Sequence, residues 1–450
     1  MKKIFTVLVL LLTLKLFSQD LIKKYDSLVS AEELKADLAE WFDWIHATHP
    51  DLTYTIKDID SFYKNFDSLK NSINSPLTRL EFWCRLSKFN HQLSDGHFIA
   101  GSFNASYLKD FIKNNGLLFP FEVVFNEDKL LIKSDLGNDN PNKYTSWEIT
   151  SINGIAISEI IQDLLLRING DNELHRKALL ERKFAYHYLL LYGEKKKFKI
   201  EMTSGNNSQK SISMKGSNTL PGYYKRREKF SRNFNFTIID NKNALLTLKS
   251  FNWKDKERYF RFTDSVFKQL KEKNIEHLII DIRENGGGDD DMWMKGILKY
   301  IADKPYRWGS KYKSKILLKY RDEGQVVGHI ETGELNRFIP VNEKTPYKFQ
   351  GKVSVLIGPF TYSSSILFAN TVQDFDFATL VGLPTGGKNG QTGGIQSKIL
   401  KNSQLKMICP RFILERPKGG NPLDPVIPDT IIRYNKINPD SLISEILIKN

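Results

Sequence analysis

The sequence predicts a multidomain α/β protein, with a helical N-terminal domain, a small strand-rich module and a larger core in which strands and helices alternate. Three textures met in chain order predict it. AEELKADLAEWFDWIHATHP sets Leu34, Leu38, Trp41, Phe42 and Ile45 on one helical face, and SPLTRLEFWCRLSKFNHQL repeats the habit. Around Leu117 the pattern changes to short alternating runs, LLFPFEVVF, KLLIKSD and WEITSINGIAIS, joined by turns. Beyond the polar connector GNNSQKSISMKGSNT, strands such as ALLTLKSF, HLIIDIR, KVSVLIG and ATLVGL alternate with helices. That order implies crossover units on a sheet with parallel strands.

Length and composition agree with this division. A chain of 450 residues exceeds one ordinary core, since domains run to about 100–200 residues. Hydrophobic content of 40%, with 29 Phe, 18 Tyr and 7 Trp, supplies apolar surface to bury and excludes a disordered class. The expected units are a leader at 1–19, a helical domain at 20–115, a strand-rich module with a helical extension at 116–215, and the α/β core at 216–450.

The leader is read from Lys2 and Lys3 followed by the apolar run Ile4 to Leu14, the pattern of a secretory signal peptide. The run is too short to span a bilayer, which takes roughly 20 residues. An exported protein, periplasmic or extracellular, without an integral membrane segment after cleavage, is the expectation. The net charge of +14 is spread among acids, as in KDKERYFRF, without an aromatic-interleaved basic stripe, so nucleic acid is not an expected partner. Cys84 and Cys409 are the two cysteines, and a bridge between them does not follow from sequence. The short-spaced pair His46 and His49 lacks a third ligand. Asp289, Asp290 and Asp291 suit the first turn of a helix, where acids complement the dipole. No metal and no organic cofactor are implied.

Two turns carry possible chemistry. In HLIIDIRENGGGDDD an apolar strand runs into three glycines, which suit a sharp turn or a close approach by another group. Amides exposed there can hold a developing oxyanion. In VSVLIGPFTYSSSILFANTVQD the strand VSVLIGPF is followed by a turn at Thr361 and Tyr362, and a helix starts among Ser363, Ser364 and Ser365. Serine is a preferred N-cap, so capping accounts for one hydroxyl. A hydroxyl at that helix end could instead act as a nucleophile if a base stands near. His97, in QLSDGHFIAG, and Lys388, in LPTGGKNGQTGG, are the two candidate bases.

With these segments in place, the chain resembles the S41 family of serine peptidases, the C-terminal processing and tricorn-core-like enzymes. IIDIRENGGG is similar to that family's strand and glycine turn, TYSSSILFA to its nucleophile motif, LVGLPTGGK to the strand and loop that follow, and PVIPDTIIRY to its closing strand. ITSINGIAI resembles the end of a PDZ-like module, and SDGHF the Asp-Gly-His element of the tricorn-like branch. The resemblance implies a ClpP/crotonase-like α/β catalytic core, a PDZ-like peptide-binding module at 116–215 and serine peptidase activity on peptide or protein substrates. It implies Ser363 as nucleophile and the amides of Gly286 or Gly287 and of Ser364 as oxyanion donors.

For the base, the resemblance leaves two branches open. The separation of Ser363 from Lys388, with Gln391 beyond, resembles a Ser–Lys branch, although this chain has Gly-Gly-Lys where that branch has Phe-Gly-Lys. SDGHF favours His97, with Glu415 in FILERPKGG as the orienting carboxylate of the Ser–His branch. Ile366 stands where the family often has Glu. This departure motivates a second reading, a catalytically inactive S41-like envelope protein that binds peptides or apolar ligands. A third reading is an esterase or other acyl hydrolase acting through the same residues.

Overall fold

The computed structural model describes residues 27–449 apart from 104 and 342, so the expected leader at 1–19 lies outside the described residues. The described chain is mixed α/β, with several sheets and separate apolar clusters. Helices Ala31–Thr48 and Arg79–Leu86 each open on a capping box, Ser30 with Glu33 and Thr78 with Glu81. Reciprocal bonds there satisfy end amides that a helix cannot satisfy itself. Together with helix Ile59–Ser72 they bury Leu34, Leu38, Trp41, Ile45, Phe62 and Phe82. The same cluster takes in Leu400, Leu405, Met407 and Cys409 from far along the chain. The link is a sheet of Gln396–Ile399, Lys406–Cys409 and Ile99–Ser102, in which Ile99–Ser102 runs antiparallel to Lys406–Cys409. Both cysteines are free.

An antiparallel sheet follows, in the order Phe121–Asn126, Lys129–Asp135, Glu148–Ile152, Lys197–Thr203 and Gln209–Lys215, with Ile155–Ala156 beside Glu148–Ile152. In SINGIA the turn residues Asn153 and Gly154 have φ of 53° and 82°, the positive values that a tight hairpin of this kind needs. Helix Glu173–Tyr192 packs on the sheet through Ala178, Phe184 and Tyr188. The stretch read as a polar connector contributes a strand, Gln209–Lys215, paired in continuous register with Lys197–Thr203. It is an edge strand with mostly exposed side chains, so its sequence carries little apolar alternation.

The core sheet has the order Phe234–Ile238, Asn243–Leu248, His277–Asp281, Lys352–Ile357, Thr379–Gly382 and Thr430–Ile431. Its first pair is antiparallel and the others are parallel. Central strands covered on both faces read as continuous apolar runs, which is why HLII and VSVLI lack alternation. Phe267, Trp293, Tyr300 and Phe368 cover one face, while Ile279 and Leu356 meet Leu442 and Ile446 of the C-terminal helix on the other. The segment after the three aspartates is helical from Asp290–Trp293 but widens into a π turn at Met294–Leu298. His277–Asp281 and Lys352–Ile357 are parallel neighbours in register, Asp281 beside Leu356. Their C-terminal ends therefore leave the sheet side by side, and with them the glycine turn and the serine turn.

Asp37 joins the helical cluster to the late segment: it is buried, and its carboxylate accepts the amides of Asn402 (3.0 Å) and Ser403 (2.6 Å). Asp37→Ala leaves both donors without that acceptor, and a loss of about 1–3 kcal/mol in chemical denaturation is expected. An unchanged unfolding midpoint would show that the junction contributes nothing to stability.

Candidate functional site

The three consecutive serines have different fates. Ser363 occupies the N-cap position of helix Ser364–Asp374, yet its side chain makes no capping bond, and its backbone stands at φ 57°, ψ −128°. A positive φ at a residue with a Cβ is strained by about 1–3 kcal/mol and persists only where the surroundings impose it. Here it presents the hydroxyl to His97, with Oγ 2.9 Å from Nε2. The Ser364 hydroxyl turns inward and donates to the Asp290 carboxylate, with the Trp293 indole N–H 3.0 Å from Ser364 Oγ. Ser365 is fully buried, and its hydroxyl has no partner among the described residues.

His97 arrives on the turn between Ser94, left-handed at φ 45°, and strand Ile99–Ser102. Its backbone N–H donates to Asp95 (2.6 Å), its ring lies 4.9 Å from that of Tyr362, and Nδ1 is 3.1 Å from Thr392 Oγ1. With the ring proton on Nδ1 and donated to Thr392, Nε2 is left to accept the Ser363 proton. Burial pulls the imidazole below its ordinary range, while the carboxylates of Asp95 and Asp171 push it back up. The ring is therefore neutral and able to accept a proton at neutral pH.

Lys388 and Glu415 have other partners. The Lys388 ammonium donates to the Ser94 carbonyl at 2.9 Å and lies 5.1 Å from the centre of the Tyr54 ring. It is not hydrogen-bonded to Ser363. Glu415 meets Lys311 and Ser310 through its backbone, and its side chain has no hydrogen bond or ion pair among the described residues. Thr392 faces the ring nitrogen where the resemblance places a carboxylate. Ile366 is sealed in the core, so its departure from the family pattern leaves no gap beside Ser363.

Of the glycines, Gly287 is the one pressed against the serine. A Cβ built on it would lie 2.6 Å from Ser363 Cβ and 3.0 Å from Ser364 N, and its φ is 95°. Gly286 instead faces the Phe360 ring, at 3.2 Å. The Gly287 N–H is already donated to Asn285 Oδ1 (2.9 Å), which braces the turn. The Ser364 N–H, the first of its helix, has no protein partner among the described residues and lies at the positive end of the dipole. The aspartates beyond the glycines are held locally: Asp289 accepts the Asp291 amide, Asp291 pairs with Lys295, and Asp290 holds Trp293 and Ser364.

Sequence reasoning missed the layer beneath the pair. Tyr362, buried just before Ser363, donates to Asp171 at 2.7 Å and stands 3.3 Å from Asp95, and His175 lies against its ring at 4.2 Å. Burial and the neighbouring Asp171 push the Asp95 carboxyl up. Burial also acts on Asp171, but the adjoining His175 and Lys388 outweigh it and hold that carboxyl well below the usual range. Asp171 and Asn172 stand directly ahead of helix Glu173–Tyr192, and Asn172 caps it. Nothing local marks Asp171 as reaching the serine turn.

A largely parallel sheet here delivers a glycine turn and an alcohol-bearing helix end to one place. Residues 242–431 match the model of peptidase family S41, so this stretch is similar to hydrolases of the peptide bond. Among solved structures, mature CPAF superimposes with a TM-score of 0.66 at 12% identity, over 93% of this chain and 96% of that one. Mature CPAF complexed with lactacystin gives 0.66 at 13%, over 93% and 97%. The photosystem II D1 C-terminal processing protease gives 0.47 at 13%, over 89% and 93%. At such identities the likeness to CPAF establishes the fold over nearly the whole chain.

Gly287→Ala inserts a methyl group where 2.6 Å is available and the backbone is left-handed, so the serine turn must shift. A loss of about 10²-fold or more in the reaction rate of Ser363 with a fluorophosphonate is expected, with the fold retained by circular dichroism. Undiminished reactivity would mean that this approach has no bearing on the site.

Proposed function

We propose that the protein is an exported serine endopeptidase in which Ser363 is the nucleophile and His97 the general base. The observation that carries this reading is the 2.9 Å contact between His97 Nε2 and Ser363 Oγ at a strained helix entry, with an unpartnered amide next to it. In the proposed mechanism, His97 takes the hydroxyl proton as Ser363 attacks the peptide carbonyl. The Ser364 amide, with one from the adjoining glycine turn, stabilises the tetrahedral oxyanion. His97 then returns the proton to the departing amine, and water resolves the acyl-enzyme by the same relay. Thr392 and the nearby carboxylates orient and tune the ring, a task the resemblance gives to Glu415. Lys388 acts structurally, through its bond to the Ser94 carbonyl. The intact Ser363–His97 pair favours an enzyme over a non-catalytic peptide-binding protein.

The strand-rich module is proposed to dock the substrate chain. In support, a cavity of about 540 Å³ lies between strand Phe121–Asn126, helix Glu173–Tyr192 and the core sheet, with Lys133, Arg182, Arg226 and Lys249 among its lining residues. Strand Phe121–Asn126 is an edge of its sheet, the position at which an extended peptide can add as a further strand. Export is supported by the basic-then-apolar pattern of residues 2–14. Cleavage of the leader near residue 19 is expected, and N-terminal sequencing of protein recovered outside the cytoplasm checks it.

Fluorophosphonate labelling followed by peptide turnover tests the mechanism. Labelling is expected in the wild type and absent in Ser363→Ala, reduced about 10²–10⁴-fold in His97→Ala, and largely kept in Lys388→Ala. Because burial lowers the imidazole pKa and the neutral form is the base, the rate should rise with pH through an apparent pKa below about 6.5. Loss of labelling in Lys388→Ala with retention in His97→Ala would reverse the assignment. Turnover of esters without peptides would identify an acyl hydrolase.

A further inference from the structure

We propose that Asp171 is the positioning residue of the site: one buried carboxylate that ties together the turn carrying His97, the residue before Ser363 and the glycine-rich loop after strand Thr379–Gly382. The inference rests on the Ser363–His97 reading and extends it to a residue outside the reacting groups. Asp171 Oδ1 accepts the Gly96 N–H at 2.8 Å and the Tyr362 hydroxyl at 2.7 Å, and Oδ2 accepts the Lys388 N–H at 2.8 Å. Gly96 precedes His97 and Tyr362 precedes Ser363, so a shift of the carboxylate moves the backbone at both ends of the 2.9 Å contact.

The carboxylate is itself held. Asp171 is 5% exposed and lies just ahead of helix Glu173–Tyr192, whose cap is Asn172. Its own N–H points to His175 Nδ1 at 3.3 Å, and the His175 ring packs on Tyr362. The segments it joins meet through glycines packed on Tyr362 and His175. A Cβ on Gly96 would lie 2.6 Å from the Tyr362 ring, one on Gly387 2.5 Å from the same ring, and one on Gly386 2.7 Å from His175 Cα. Glycine contacts of this kind allow close approach but fix no register along the interface. Three charge-assisted bonds to a desolvated carboxylate do fix it, because displacement would leave buried donors unpaired. Asp95 complements this locally by bonding the His97 amide within its own turn.

Asp171 also acts on His97 through its charge. The groups around that ring are Asp95 from its own turn, Asp171 and His175 from the segment opening helix Glu173–Tyr192, Tyr362 from the serine turn, Lys388 from the glycine-rich loop, and the uncharged Thr392 on Nδ1. The two carboxylates favour the imidazolium and His175 opposes it. Removing the Asp171 charge therefore lowers the pH at which His97 becomes neutral, so the acidic limb of the rate profile moves to lower pH.

The test is Asp171→Asn, with Tyr362→Phe as the milder companion, read by the pH profile of fluorophosphonate labelling and by amide hydrogen exchange. An asparagine has one acceptor oxygen for three donors. The expected results for Asp171→Asn are a plateau rate lower by about 10²-fold, an acidic limb shifted to lower pH, and an unchanged KM for a peptide substrate. Faster exchange is expected at Gly96 and Lys388, with protection kept in helix Ala31–Thr48 and in the core sheet. Tyr362→Phe should lower the plateau in the same direction and be non-additive with Asp171→Asn. A wild-type plateau with an unshifted limb, or uniformly faster exchange along the chain, would overturn the proposal. If the wild type is not labelled at Ser363, the serine–histidine reading fails, and exchange alone decides the tie: unchanged protection at Gly96 and Lys388 in Asp171→Asn would overturn it.

Discussion

Gly287 and Ser363 approach so closely that a methyl group on the glycine would fall 2.6 Å from the serine Cβ, and the arrangement around the site follows from that approach. Both residues hold positive φ, one in a glycine-rich turn and the other at the entry to helix Ser364–Asp374. The strain at Ser363 is maintained by parallel strands in register beneath it, by the Asn285 brace on the Gly287 amide and by the buried Ser364 hydroxyl on Asp290. A serine in relaxed helix-cap geometry would spend its hydroxyl on its own backbone. Here the hydroxyl is left for His97.

The imidazole comes from the opposite end of the chain, which imposes a second constraint. Strand Ile99–Ser102 adds to Lys406–Cys409, so the helical N-terminal cluster shares a core with the late segment and cannot drift from it. Asp37 reinforces the junction through the amides of Asn402 and Ser403. Asp171 then draws in the strand-rich module through Gly96, Tyr362 and Lys388. A contact between Nε2 and Oγ tolerates only small displacement, and the helical cluster, the strand-rich module and the core are joined at the points that limit it.

Much of the architecture was legible because it rests on local periodicity. The helical face of Leu34, Leu38, Trp41 and Ile45, the apolar runs of the parallel strands and the Asn-Gly hairpin each carry their signal within a few residues. The strand Gln209–Lys215 was not legible, since an exposed edge strand pairs through its backbone and leaves little mark on its side chains. The residues Ser363, His97 and Gly287 could be singled out by motif. The partners that orient them, Thr392, Tyr362 and Asp171, could not, because each is an ordinary polar residue whose importance comes from what lies across a tertiary interface.

The sequence by itself determined an α/β core, a glycine turn and a serine turn at the ends of two strands, and two candidate bases. Those are properties of short segments and their order. Only the tertiary structure decided which base meets the hydroxyl, which glycine stands against it and where the third serine goes, since each answer depends on distances between residues remote in the chain. Along the chain both Lys388 and His97 stand as candidate bases, and only the motif SDGHF favours His97. In the folded protein one amine is bound to a carbonyl, and one imidazole nitrogen faces an alcohol.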